Sequence, residues 1–403
     1  MRPSPWALAL RSALIGAMAG SLGAGLMALI HWATERSWGP AVLAGAPSSA
    51  PLAQQLLVPL LAGLAIGLLR RRGAKPLPEL HQTLQELRSR AQPQPLQLRA
   101  DHLLLGLLAL VGGGTLGPEA LLSRTLAELS RSLSRWPEQA LSAISGSLGF
   151  FGLPLVGGVA VVEQSGQPLP AKLWHWLPGL SSGIAGFAAF QGFSYLGKGE
   201  TGVAYQWPSS ELQLLTHLLW ALALGLLGGT LGVLFVRWRR SAKALLQYWR
   251  LSPLAQALLT GAVIAAVGQW QPLALFSGEL QITPLLQGAM GLDGGALLLL
   301  GLTKLVLCGL CLSSGWIGGQ FFPLIFGAAA IGQGLALCWP HWIPAQIAVS
   351  SLVASIQSAV LGQALLPVLL TAGVLKGHAI SGVLVGSVMG LAVRFTTQPA
   401  EID

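Results

Sequence analysis

The chain has 403 residues, 53% of them apolar and only 9% charged, with a formal net charge of +9. Soluble domains carry about a quarter charged residues, so a water-soluble globule of this size is excluded. An integral membrane protein is what remains, and the basic excess belongs to membrane flanks rather than to a nucleic-acid surface.

A spanning helix needs about 20 apolar residues. Apolar runs recur near 12–30, 52–69, 103–117, 140–162, 173–192, 211–236, 253–269, 294–313, 320–339, 342–361, 364–376 and 379–393. Period-2 alternation is missing, which argues against an outer-membrane barrel and for an all-α polytopic bundle. The first run is too long for a signal peptide and reads as the first span. RRRGAK (70–75) and RWRRSAK (237–243) each follow a long apolar run. They read as cytoplasmic loops, on the same side as the amino terminus with Arg2 and Arg11.

The spacing divides the chain into a first membrane repeat, 1–192, and a second, 211–395. A polar non-cytoplasmic loop, 193–210, connects them, and a short tail, 396–403, follows. Many of the 52 glycines and 25 prolines interrupt apolar runs. At membrane depth such breaks are tolerated only where protein or a water-filled cavity surrounds the freed backbone. Paired breaks in two halves mark an inverted-repeat transporter. The first half has breaks at 112–119 and 152–158, and the second has SSGWIGGQFFP at 313–323.

In GGGTLGPEA, Pro118 suits a helix start. Glu119 then falls in the first turn, where the helix dipole favours an anion. An ionisable group within a span is costly and marks function, so Glu119 is the leading candidate. GGQFFP places Gly318 and Gly319 before an apolar helix, whose amino terminus is suited to anions. In GLPLVGGVAVVEQS, Pro154 can open a helix, with Glu163 and Gln164 near its far end.

Lys304 lies inside LLLLGLTKLVLC and could pair with an acid or line an anion path; a structural reading is equally open. Lys376 and His378 mark a loop, Asp293-Gly294-Gly295 a turn, and Arg124 a charge near Glu119. Cys308, Cys311 and Cys338 read as buried thiols. The C-x-x-C of the first two lacks the further ligands zinc needs, so no metal and no cofactor is expected. An intramembrane enzyme built on Glu119 would need a second catalytic group: H-E-x-x-H does not occur, and the G-x-S-x-G match GLSSG (179–183) lies inside an apolar run rather than at the strand-to-helix turn of a nucleophile elbow.

Taken together, these stretches resemble the CLC family of chloride channels and proton/chloride exchangers. LGPEAL stands at the family's G-[RK]-E-G-P, LPLVGGVAVVEQ at its acidic-pair segment, and SSGWIGGQFFP at its G-x-F-x-P. GAKPLPEL (73–80) echoes an upstream G-S-G-I-P-E. The resemblance spans roughly residues 10–395 and is to a divergent, prokaryotic-type member without CBS domains, placed in a plasma membrane.

The resemblance implies two inverted repeats of broken helices and a homodimer with one pore in each subunit. Glu119 would be the gating glutamate. Gly117, Pro118, Ala120, Gly319, Gln320, Phe321 and Phe322 would line the anion site. Lys75 falls where the family has an anion-coordinating serine. No tyrosine stands late enough for the family's inner gate, so Ser381 is a candidate to contribute there. Gln164 occupies an internal proton-transfer position at which exchangers carry glutamate, with Glu163 adjacent. The implied partners are chloride or a similar anion, protons and the lipid bilayer. The implied activity is passive or weakly proton-coupled anion movement, with an exchanger or a fluoride exporter as alternatives.

Overall fold

The computed structural model describes residues 5–42, 50–74, 100–133, 169–196, 214–288, 290–375 and 379–397. Lys75, Glu163, Gln164, Lys376, His378 and the break at 152–158 lie outside the described residues. The helices are α1 (Pro5–Trp38), α2 (Leu52–Arg71), α3 (Ala100–Val111), α4 (Glu119–Leu133) and α5 (Leu169–Leu196). They continue with α6 (Leu214–Tyr248), α7 (Pro253–Trp270), the short α8 (Ile282–Leu286), α9 (Gly294–Ser314) and α10 (Phe321–Cys338). The last are α11 (Ala345–Leu361), α12 (Leu365–Val374) and α13 (Ile380–Thr397). The fold is all-α, as composition requires. Seven helices among the described residues are long and apolar enough to cross a bilayer.

Two compact units are interleaved in the sequence. The first comprises Met1–Trp32, Leu77–Leu104 and Pro118–Val203; the second comprises Ala33–Pro76, Leu105–Gly117 and Ala204–Asp403. In the first unit α1 and α5 meet backbone to backbone: Gly16 faces Ser182 and Gly20 faces Gly186, with no room for a Cβ. Small residues four apart allow this approach, and Ser181 Oγ donates to the Ala9 carbonyl at 3.0 Å. The amphipathic α4 lays Leu122 and Leu126 toward α1, beside Gly23 and the Ile15–Ala19 pair.

In the second unit α2 packs on α7, α9 on α10, and α6, α11 and α13 on one another. Several sequence expectations change here. RWRRSAK is not a loop, because α6 runs through it to Tyr248. Its arginines and lysine are strong helix formers, and nothing in the cluster stops the helix. Asp293 is a helix cap rather than a turn residue: its side chain accepts from the Ala296 amide at 2.7 Å. Cys308 and Cys311 are buried, but Cys338 is exposed at the last residue of α10. An apolar neighbourhood in sequence does not separate a packed face from a lipid-facing one.

Candidate functional site

Both broken segments are held by bonds that end on backbone. In the first, Trp38 Nε1 donates to the Val111 carbonyl at 2.7 Å, which fixes the end of α3. The Phe276 amide donates to Gly113 O at 3.3 Å, and Thr115 Oγ1 donates to Ala274 O at 2.8 Å. The Trp38 and Phe276 rings meet edge to face, 5.1 Å apart. In the second, α9 stops at Gly315, whose φ of +86° is one that a side chain strains. Arg70 Nη1 donates to Ser314 O at 2.6 Å, and its guanidinium fills the space beside Gly315. The next residue, Trp316, is buried and donates from Nε1 to Ala257 O at 3.1 Å.

The two segments join at one point. The Gly117 amide donates to Gly319 O at 2.8 Å and the Gly319 amide returns to Gly117 O at 2.6 Å. This is an isolated antiparallel bridge in a helical protein. It depends on Gly318, where a Cβ would stand 2.5 Å from Leu116 Cβ. The reciprocal bonds engage the Gly117 and Gly319 amides with each other, and Pro118 has no N–H. The donors of the first turn of α10 follow immediately. Gln320 is its N-cap, and Phe321 and Phe322 are buried in its first turn.

In the first unit, Pro118 precedes α4 and its carbonyl accepts the Leu122 amide at 2.9 Å. Glu119 is therefore the first helical residue, one position later than the proline expected there. It is 3% exposed and is the buried acid among the described residues. Ala120 beside it is buried, and Arg124 on the same helix is half-buried. Two peptide units separate Glu119 from Gly117, so their Cα atoms are at most roughly 7 Å apart by chain length alone.

Lys304 is fully buried, and its Nζ donates to the carbonyls of Leu273, Ala274 and Leu275 at 3.0, 3.4 and 3.0 Å. It also lies 4.4 Å from the centroid of the Phe326 ring, a favourable site for a cation. These contacts give Lys304 a structural role. Ala274 O is shared with Thr115, so Lys304 orders the loop that steadies the first break. Ser381 is half-buried on α13. Trp38, Thr115 and the 273–276 loop are contributions that the sequence reading missed. Thr115 lies within the motif that was read, but its acceptor is a backbone carbonyl 159 positions away.

Helices broken at two points and pinned together there define a polytopic membrane protein of the broken-helix class. A family model described as voltage gated chloride channel matches residues 60–394; the chain belongs to this family, the CLC proteins. The H(+)/Cl(-) exchange transporter ClcA of Cronobacter sakazakii is 24% identical over 363 residues, covering 85% of this chain and 75% of that protein. The structure resembles that of a slow cyanobacterial Cl−/H+ antiporter, with a TM-score of 0.79, 18% identity, and coverage of 99% of this chain and 96% of that one. It also resembles a CLC-type fluoride/proton antiporter, with a TM-score of 0.76, 18% identity, and coverage of 96% and 95%. At these identities the structural likeness speaks for the fold.

Proposed function

We propose that the chain moves chloride-like anions across a membrane, passively or with weak proton coupling. The anion is held at the first turn of α10, and Glu119 is the gate. The observation that carries this reading is the buried Glu119 carboxylate, which heads a helix two residues beyond the glycine bridge. A charge at such depth is costly and survives where it is used. The α10 dipole presents its positive end beside the bridge. A carboxylate tethered there competes with a mobile anion. Once protonated it no longer competes, and the anion passes. In the same reading the two breaks belong to inverted repeats, two copies of the chain form a dimer with separate pores, and Lys75 draws anions toward one mouth.

A second reading has a specific observation behind it. The similar proteins named above are described as proton-coupled exchangers, of chloride or of fluoride. Against it, Gln164 stands where exchange would place a proton-carrying acid, and an amide carries no proton at accessible pH. Exchange would therefore need another internal route to Glu119.

Liposomes loaded with chloride, with anion efflux and proton movement recorded together, separate these readings. Passive flux that rises as pH falls, and becomes high and flat with pH in Glu119→Gln, is the expected result. Uphill proton movement driven by a chloride gradient would establish the exchanger instead. A Glu119→Gln protein with unchanged flux and pH profile would remove the gate assignment.

A further inference from the structure

The basic cluster of α6 was read as a membrane flank, and the structure uses one of its residues differently. Trp238 and Arg239 are locked against α9 by contacts that do not involve the guanidinium. Trp238 Nε1 donates to Val306 O at 2.9 Å, and Gly309 leaves room for the indole, since a Cβ there would stand 2.6 Å from Trp238 Cδ1. Ser313 Oγ bonds the Arg239 carbonyl at 2.9 Å and the Gly309 carbonyl at 2.7 Å. The backbone at Arg239 is thus fixed against Ser313, the residue before Ser314 and two before Gly315, where the second break begins.

From that fixed backbone the half-buried guanidinium reaches the head of α10. Its Nη1 lies 3.3 Å from Gln320 Oε1. Gln320 is the N-cap residue of α10 and is nearly buried, yet its side chain makes no capping bond to the helix. N-caps are ordinarily Ser, Thr, Asp or Asn, whose oxygens accept from the first turn. Here the side-chain oxygen accepts from a cation instead. A cation beside a helix amino terminus works against the dipole, which favours anions there and cations at the other end. An anion bound at that terminus turns the repulsion into attraction from both sides.

We propose that Arg239, positioned by Gln320, is an electrostatic affinity residue for the transported anion: its fixed charge raises anion occupancy at the first turn of α10. The inference rests on the reading that the anion is held there. It assigns to Arg239 a role in affinity rather than in turnover, because the guanidinium adds a field at the site without being part of the gate.

The test is chloride flux through reconstituted protein over a wide range of chloride concentration, with impermeant anion as replacement. Three variants are compared with the wild type: Arg239→Gln, Arg239→Lys and Gln320→Leu. Loss of one charge at this range is expected to raise the half-saturating chloride concentration about three- to tenfold in Arg239→Gln, with maximal flux little changed. Arg239→Lys restores most of the affinity. Gln320→Leu, which keeps the charge but releases it from the helix end, shifts it in the same direction by less.

A merely structural role would lower folded yield and maximal flux in Arg239→Gln and leave the half-saturating concentration in place; that result overturns the proposal. If Arg239→Gln does not fold, an unshifted Gln320→Leu overturns it equally. A wild-type protein that moves no chloride or fluoride defeats the transport reading itself. Wild-type flux whose concentration dependence ignores Arg239 and Gln320 defeats this inference alone.

Discussion

Two regions of the second unit bring backbone close to backbone by opposite means. Where α6, α11 and α13 meet, the side chains are removed. Gly386 faces the Ser351 carbonyl and Gly390 the Ser355 carbonyl with no space for a Cβ, while Gly225 and Gly229 receive Met389 and Val393. Serines complete this seam, with Ser355 Oγ donating to Gly225 O and Ser358 facing Ser387 at 2.6 Å. Around the two breaks, large polar side chains are inserted instead: Trp38, Arg70, Lys304 and Trp316 each end on main-chain carbonyls. In lipid, burying apolar surface adds little to helix association, so close packing does that work. Freed backbone at a break needs partners. The seam is therefore a packing device and the break region a hydrogen-bonding device, and substitutions should fail in different ways.

The largest effect is expected for Lys304→Met. It removes the donor shared by the Leu273, Ala274 and Leu275 carbonyls, of which Ala274 keeps Thr115, costs about 3 kcal/mol, and disturbs the Thr115 loop. Thermal unfolding in detergent should show the loss, and liposome flux should fall further than the folded fraction does. Next comes Gly386→Val in the seam, where overpacking costs about 1–3 kcal/mol. Folded yield and melting temperature should drop, while the surviving protein keeps its wild-type half-saturating chloride concentration.

Thr115→Val should cost about 1 kcal/mol and still change the pH profile of flux, because the break it steadies leads into Glu119. Ser355→Ala should cost less, about 0.5 kcal/mol, since the Gly225 carbonyl lies within a helix. Its flux should match the wild type. Equal flux defects in Thr115→Val and Ser355→Ala would erase the distinction between the two regions.

The extents of helices were more legible in the sequence than the contacts that hold the breaks. Run boundaries such as 253–269 and 294–313 fall within a residue of α7 and α9, and 342–361 and 379–393 within four of α11 and α13, because hydropathy and helix length are both local. Glu119 at a helix start was legible for the same reason: Gly, Pro and an acid in order specify a turn and a first helical turn. What holds the breaks was not legible. The acceptors for Lys304, Thr115, Trp38 and Arg70 are backbone carbonyls, and every residue has one. No residue type advertises that Leu273–Leu275 will gather around an ammonium. The cluster at 237–240 was misread as a loop because charge after an apolar run suggests a break, whereas a helix carries charge onward without interruption.

The Gly117–Gly319 bridge has a mechanical consequence. Separating the two breaks would strip two buried amide–carbonyl pairs, at about 1–3 kcal/mol for each group left unsatisfied. A rivet of this kind holds the spacing between them constant. On the proposed reading, the protein then works as an aperture of set width with a shutter one side chain in size. That reading assigns opening to a torsion of the Glu119 side chain.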